Sequence, residues 1–214
     1  MSSAHSPTRA KAENGMGLSL EKLGRGGEAL EAYRMAAETD PGLAPAANNV
    51  GSYLLRHGDL AGARSWLEEA VRSDPWLPEA QFNLASVLYR EGDLAGAERA
   101  FSAAVVADPR FKEAWNGLGV VLEDQGRLPE SIAAYGRAVQ IDGRFVDARN
   151  NLGVVLAKTG QFAEALMELE AALRLAPDNR NIAANIEQVR ALAAAASRKG
   201  VAPAPPGTPL SPPR

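Results

Sequence analysis

The sequence predicts an all-α solenoid built from five helix–turn–helix pairs and closed by one further helix. The prediction rests on a 34-residue period, two amphipathic runs in every period, and a glycine between the runs. The clearest unit is 112–145, in which the runs flank Asp124-Gln125-Gly126. The glycines between runs are Gly24, Gly58, Gly92, Gly126 and Gly160. A unit with a single apolar side cannot bury that side alone, so stacked units are expected to share a core.

Each run predicts a helix through the spacing of its apolar residues. In the first run of 112–145, Trp115, Leu118 and Leu122 recur at three- and four-residue intervals and share one face. In the second run, Ile132 and Tyr135 do the same. A glycine inside a helix costs about 1 kcal/mol relative to alanine. Four first runs nevertheless carry one at the same phase, which predicts that a second backbone passes close by: Gly17, Gly51, Gly119 and Gly153.

A large residue in each second run, small residues beside it and a closing proline complete the pattern, which resembles the tetratricopeptide repeat. The large residues are Tyr33, Leu67, Phe101, Tyr135 and Leu169. The resemblance covers roughly Ala10 to Asp178 and implies a right-handed solenoid whose first helices line a concave groove. The expected organisation is a disordered lead-in at 1–9, repeats at 10–43, 44–77, 78–111, 112–145 and 146–179, a capping helix at 180–197, and a disordered proline-rich tail at 198–214.

Composition argues against several classes of function. The chain has no cysteine, so disulfides, thiolate chemistry and cysteine-bound metals are excluded. A net charge of −3 without a basic stripe does not favour nucleic acid. No run is apolar enough to insert into a membrane, and no export or lipidation signal is visible, so a cytoplasmic location is expected. The two histidines, His5 and His57, lie in no catalytic motif, and we expect no enzyme activity, cofactor or metal.

The candidate site lies on the first helices, opposite their apolar stripe. One column there holds Asn14, Asn48, Phe82, Asn116 and Asn150. Tyr89 follows Phe82 two turns later. A second column, one residue further on and broken by Gly15 and Gly117, holds Asn49, Asn83, Asn151 and Asn185. Basic residues at the edge, expected to attract acidic side chains, are Lys22, Arg56, Arg90 and Lys158.

Asparagine suits a groove that reads extended peptide, because its amide can bond a peptide C=O and N–H together. The column is similar to the asparagine ladder in the tetratricopeptide arrays of protein O-GlcNAc transferases and their bacterial relatives. The same amides can instead bond a neighbouring repeat and fix the angle between repeats. The predicted function is a non-catalytic scaffold for a protein or peptide partner, with further apolar contacts from Val120 and Val154. Two alternatives stay open: a homo-oligomeric assembly, or the docking subunit of an enzyme carried on another chain.

Overall fold

The computed structural model describes residues 7–198, and within that range it contains eleven helices and no strand. The helices are α1 (Pro7–Lys22), α2 (Gly26–Thr39), α3 (Ala44–Arg56), α4 (Leu60–Ser73), α5 (Pro78–Arg90), α6 (Leu94–Ala107), α7 (Lys112–Asp124), α8 (Leu128–Ile141), α9 (Val146–Lys158), α10 (Phe162–Leu175) and α11 (Arg180–Arg198). The predicted all-α class, with five helix pairs and one further helix, is confirmed. Helix α1 begins three residues before the predicted boundary, while the rest of the predicted lead-in and residues 199–214 lie outside the described residues.

The chain divides into two compact units, Met1–Pro109 and Arg110–Arg214. Helices α1 to α6 belong to the first unit and α7 to α11 to the second. Within each unit the two helices of a pair pack together, and the next first helix packs on the preceding second helix. First helices also lie side by side, α3 against α5 and α7 against α9. This arrangement brings equivalent positions of successive first helices together.

The turn inside each pair depends on its glycine. All five glycines between paired helices have positive φ, from +74° at Gly24 to +84° at Gly92. Residues with a Cβ rarely adopt this left-handed conformation, so glycine ends the first helix at little cost. Nothing lies within 4 Å of the Cβ that any of these five positions would carry. Backbone conformation, and not crowding, therefore requires glycine at these turns.

Glycines within the first helices have a different role. A Cβ on Gly51 would lie 2.5 Å from Cγ of Leu67, and one on Gly153 would lie 2.6 Å from Cγ of Leu169. The carbonyl oxygens of Ala63 and Ala165 also come close, at 3.2 and 3.0 Å. In the two repeats whose second helix carries a tyrosine, the ring of Tyr33 or Tyr135 occupies the space where the Cβ of Gly17 or Gly119 would lie. Glycine is therefore required by the large side chain of the second helix as much as by that helix's backbone.

The core is a series of contacts between small and large residues along each unit. In the second unit, one cluster joins Tyr135, Leu152, Leu169 and Ile186, all at most 8% exposed. In the first unit, Trp66 packs against alanines of α2, α3, α4 and α5. Trp66 therefore serves local packing, whereas the loop residue Trp76 is 69% exposed.

Candidate functional site

The predicted asparagines lie on adjacent first helices within each unit. In the first unit, Asn48 and Asn49 are on α3 and Asn83 is on α5. Asn48 is only 8% exposed, while Asn49 and Asn83 are half-buried. In the second unit, the asparagines of α7, α9 and α11 are all half-buried: Asn116, Asn150, Asn151 and Asn185. None of these amides is fully exposed to solvent.

The two asparagine columns bond to each other. In the first unit, Nδ2 of Asn49 donates to Oδ1 of Asn14, and Nδ2 of Asn83 donates to Oδ1 of Asn48, both at 2.9 Å. The second unit repeats the arrangement: Asn151 donates to Asn116 at 3.1 Å, and Asn185 donates to Asn150 at 2.9 Å. We call these four pairs the amide ladder and each pair a rung. Every rung joins residues 35 apart, one repeat plus one residue.

The ladder has two rungs in each unit. The remaining position in the series corresponds to Phe82 and Gly117, neither of which carries a side-chain amide. The Phe82 ring packs edge to face with Phe101, with ring centroids 5.7 Å apart. Phe82 and Tyr89 are both half-buried on α5.

A rung leaves hydrogen-bonding capacity on both amides. The donor asparagine uses one of its two N–H groups, and the acceptor asparagine uses one lone pair of its oxygen. One N–H and the oxygen remain on the donor, and both N–H groups remain on the acceptor, except at Asn150 and Asn151, where Nδ2 of Asn150 also donates to Oδ1 of Asn151 at 3.4 Å. Contact between repeats and contact with a ligand are therefore compatible uses of the same residues. Sequence reasoning placed the columns and left bonding to a neighbouring repeat as an alternative, but it did not identify the partners, for which the 35-residue spacing is the signal.

Internal ion pairs occupy the basic edge of the first helices. Arg56 pairs with Glu21 of α1, and Lys158 of α9 pairs with Glu123 of α7, with Nζ and the carboxylate oxygen 2.6 Å apart. Each glutamate also accepts a hydrogen bond from a buried tyrosine, Tyr33 at 2.8 Å and Tyr135 at 2.9 Å.

These contacts change the chemistry expected of the edge. Burial, and then the adjacent carboxylate, raise the pKa of both tyrosine hydroxyls above its usual value, so they remain proton donors. Arg90 donates instead to the carbonyl oxygen of Leu55 at 3.3 Å. The expected attraction for acidic side chains is weakened because nearby carboxylates neutralise Arg56 and Lys158. Sequence reasoning did not assign these roles to Glu21 and Glu123.

Residues 7–198 contain no group of three or more His, Cys, Asp or Glu side chains placed to hold a metal ion. No helix in the same range is long and apolar enough to span a membrane.

Family models agree with this architecture. A model described as tetratricopeptide repeat matches residues 14–78 and 82–145, and a second model of the same description matches 146–179. The chain belongs to the tetratricopeptide repeat family. Proteins of this family generally act as interaction scaffolds and bind protein or peptide partners. A sequence comparison with curated proteins finds no match.

Solved tetratricopeptide structures share the fold. MamA from Desulfovibrio magneticus RS-1 is 20% identical, with a TM-score of 0.68 over 80% of this chain and 97% of its own. PilF from Pseudomonas aeruginosa is 16% identical, with a TM-score of 0.75 over 90% of both chains. YrrB, described as a tetratricopeptide repeat protein with an unusual peptide-binding site, is 23% identical, with a TM-score of 0.64 over 87% of this chain and 90% of its own. At these identities the likeness concerns the fold alone.

Proposed function

We propose that this tetratricopeptide repeat protein is a non-catalytic scaffold that binds an extended segment of another protein along its first helices. The observation that carries the proposal is the amide ladder. Its rungs hold half-buried amides in fixed orientations while leaving N–H and C=O groups unused. Membership of a family that binds proteins and peptides supports the same function.

The rungs favour binding because they hold the amides before a ligand arrives. A side chain fixed on binding loses about 0.5–1.5 kcal/mol of conformational freedom. A hydrogen bond to the neighbouring repeat means that part of this entropy is already lost in the free protein. Neighbouring helices pack about 8–10 Å apart, and an extended chain rises about 3.3 Å per residue. Successive rungs would therefore meet the ligand backbone at about every third residue.

Apolar side chains between the rungs add side-chain selectivity. Val120 on α7 and Val154 on α9 are half-buried on the face that carries the second unit's rungs. In the first unit, Phe82 and Tyr89 occupy the corresponding face of α5. In this binding mode, the ligand backbone would form hydrogen bonds with the asparagines, and small apolar side chains of the ligand would pack on the surfaces between the rungs.

The test is selection of a displayed random-peptide library on the full-length protein, followed by affinity measurement through fluorescence anisotropy. The selected peptides should bind the double variant Asn49→Ala with Asn151→Ala at least about tenfold more weakly than the native protein, which is equivalent to a loss of 1.4 kcal/mol. Gln188→Ala, which removes an exposed amide from α11, is the matched control and should leave affinity unchanged. Circular dichroism verifies that each variant is folded.

A second arm leaves the protein unaltered. N-methylation of single ligand residues removes one backbone N–H at a time, and it should weaken binding at positions about three residues apart. Equal affinity for the native protein and the double asparagine variant, together with tolerance of N-methylation throughout, would refute peptide reading by the ladder.

Assembly with further copies is a second candidate, and exposed apolar residues of α1 and of the turn that follows it favour it. Met16 is 48% exposed and Leu23 is 70% exposed. In repeats that follow another helix pair, the position of Met16 is held by Val50 and Leu84, which are 0% and 9% exposed. Size-exclusion chromatography with light scattering over a dilution series tests this candidate. A monomer at every concentration would refute it, whereas an oligomer dissociated by Met16→Glu with Leu23→Glu would support it.

A further inference from the structure

Both Asn-Gly pairs of the chain lie in the amide ladder, at the acceptor positions of two rungs. They are Asn14-Gly15 on α1 and Asn116-Gly117 on α7. The acceptors of the other two rungs are followed by a second asparagine instead. Each unit therefore contains one rung with an Asn-Gly pair and one rung without it.

An asparagine that precedes glycine is open to attack by its own backbone. The glycine nitrogen attacks Cγ of the asparagine side chain and closes a five-membered succinimide ring, while the side-chain amide leaves as ammonia together with the proton of the glycine N–H. Water then opens the ring at one of its two carbonyl carbons and gives aspartate or isoaspartate. Glycine favours ring closure because it has no Cβ beside the attacking nitrogen and adopts a wide range of backbone conformations.

The helix restrains the attacking nitrogen. In an α-helix the N–H of each residue donates to the carbonyl oxygen four residues earlier. For Gly15 that oxygen belongs to Lys11, and for Gly117 it belongs to Glu113, since both glycines lie inside their helices. Ring closure turns the peptide plane out of its helical orientation, so this hydrogen bond has to break before the reaction.

The rung restrains the atom that is attacked. Oδ1 of Asn14 accepts from Nδ2 of Asn49 at 2.9 Å, and Oδ1 of Asn116 accepts from Nδ2 of Asn151 at 3.1 Å. Each bond directs the reactive amide to the neighbouring first helix. Moving Cγ onto the glycine nitrogen of its own helix rotates the side chain and breaks the rung. Two hydrogen bonds, one on each reacting residue, therefore have to open before the ring can close.

Packing leaves room for the reaction at Asn14. This side chain is half-buried and Gly15 is exposed, so water reaches the pair. Nothing lies within 4 Å of a Cβ added at Gly15, so no neighbouring residue blocks the rotation of its peptide plane. The rung and the helical hydrogen bond are then the restraints that remain.

We propose that Asn14 and Asn116 are sites of spontaneous deamidation and that their rungs protect them. The rate at each site follows the local opening of its own rung. Aspartate at either site still accepts the hydrogen bond of the rung and adds a negative charge, whereas isoaspartate adds one carbon to the backbone and distorts the helix. Both products lack the amide N–H groups that a ligand carbonyl would use. That last consequence rests on the proposed peptide-binding function, but the modification itself does not.

Site-resolved mass spectrometry of the full-length protein tests the proposal. Folded protein is incubated in mildly alkaline H₂¹⁸O, and its peptides are then mapped for ¹⁸O in newly formed carboxyl groups. Asn49→Ala should speed deamidation of Asn14 about fivefold, the order of population change that loss of one hydrogen bond allows. The same variant should leave Asn116 at its native rate. Asn151→Ala should have the reverse effect, with Asn116 faster and Asn14 unchanged.

Two control variants separate the opening of one rung from general destabilisation. Asn83→Ala breaks the other rung of the first unit, whose acceptor is more buried, and should leave the deamidation rate of Asn14 unchanged. Gly15→Ala removes the reactive pair at a position with room for a Cβ, and it should abolish deamidation of Asn14. Circular dichroism verifies that each variant is folded.

Three results would overturn the proposal. Equal acceleration of Asn14 by Asn49→Ala and Asn83→Ala would show that the reaction requires unfolding of the unit and not opening of the rung. Native rates in both Asn49→Ala and Asn151→Ala would show that the rungs give no protection. In guanidinium chloride, Asn14 and Asn116 should convert faster than Asn83, and equal rates there would overturn the assignment of the two sites.

Discussion

The rung between Asn48 and Asn83 should be the most costly to break in the first unit. Asn48 is 8% exposed, and its Oδ1 accepts the 2.9 Å hydrogen bond from Asn83. Asn83→Ala leaves that buried oxygen without its donor. An unpaired buried acceptor costs about 1–3 kcal/mol of stability, because it has lost its water as well as its partner. Asn48→Ala leaves the half-buried Asn83, which water reaches more easily, and the expected loss is about 0.5–1.5 kcal/mol. The buried partner should therefore make the Asn83 variant the less stable one.

A double-mutant cycle measures the rung itself. We expect a coupling free energy of about 1 kcal/mol between the two asparagines, since the double variant leaves no amide unpaired at this rung. Urea unfolding of the full chain, followed by tryptophan fluorescence, suits the measurement because two of the three tryptophans, Trp66 and Trp76, lie in the first unit and Trp115 lies in the second. Effects that add within about 0.3–0.5 kcal/mol would refute a structural role for the rung. The corresponding cycle on the more exposed pair, Asn14 and Asn49, should give a smaller coupling.

Three further predictions concern the second unit. Gly119→Ala should lower the free energy of unfolding by about 1 kcal/mol. The new Cβ would lie 2.6 Å from the buried Tyr135 ring. Overpacking costs about 1–3 kcal/mol, which outweighs the gain in helix propensity of about 1 kcal/mol. Gly136→Ala, where nothing lies within 4 Å, should raise the free energy of unfolding by about 0.5–1 kcal/mol. Asp142→Asn should remove an acid-dependent part of stability, because the hydrogen bond from Lys112 lowers the pKa of Asp142.

The sign of the last effect follows from linkage. A carboxyl whose pKa is lower in the folded state stabilises the protein above its unfolded pKa of about 3.9, and that stability is lost as pH falls through the folded value. The native chain should therefore be more stable than Asp142→Asn at neutral pH, with the difference vanishing in acid. Asp147→Asn, an exposed carboxylate in the first turn of α9, is the control. Urea midpoints between pH 2 and pH 7 give the comparison, and parallel curves would contradict the assignment.

Thermal unfolding distinguishes the two glycine variants. The reasoning fails if Gly119→Ala and Gly136→Ala shift the midpoint in the same direction by similar amounts. Both replace a helical glycine of the second unit, and they differ mainly in what surrounds the new Cβ.

The helix pairs were predictable because their determinants are local. Apolar spacing identifies each helix face, and the five turn glycines, such as Gly126, mark where a positive φ is needed. The division of the chain after Pro109 was not predictable, since the 34-residue period continues through that point. The period shows which segments repeat and does not show where the chain divides into compact units.

The candidate site was predictable only to the level of its columns. Their position on the first helices follows from helical phase, but the bond between Asn83 and Asn48 depends on how closely α3 and α5 approach. The same limit applies to Arg56, whose partner Glu21 lies 35 residues earlier. The use of the asparagines by a ligand, and the likeness to O-GlcNAc transferase arrays, remain predictions.

The amide ladder also determines how such an array can lengthen. A rung needs an acceptor asparagine in one repeat and a donor asparagine, one residue further on, in the next. The repeat 44–77 carries both, as Asn48 and Asn49, so a tandem duplication of this segment would extend the ladder without another substitution. The repeat 112–145 carries Asn116 followed by Gly117, so its duplication would add a second gap. Gene duplication can thus lengthen the ordered face or interrupt it, depending on which repeat is copied.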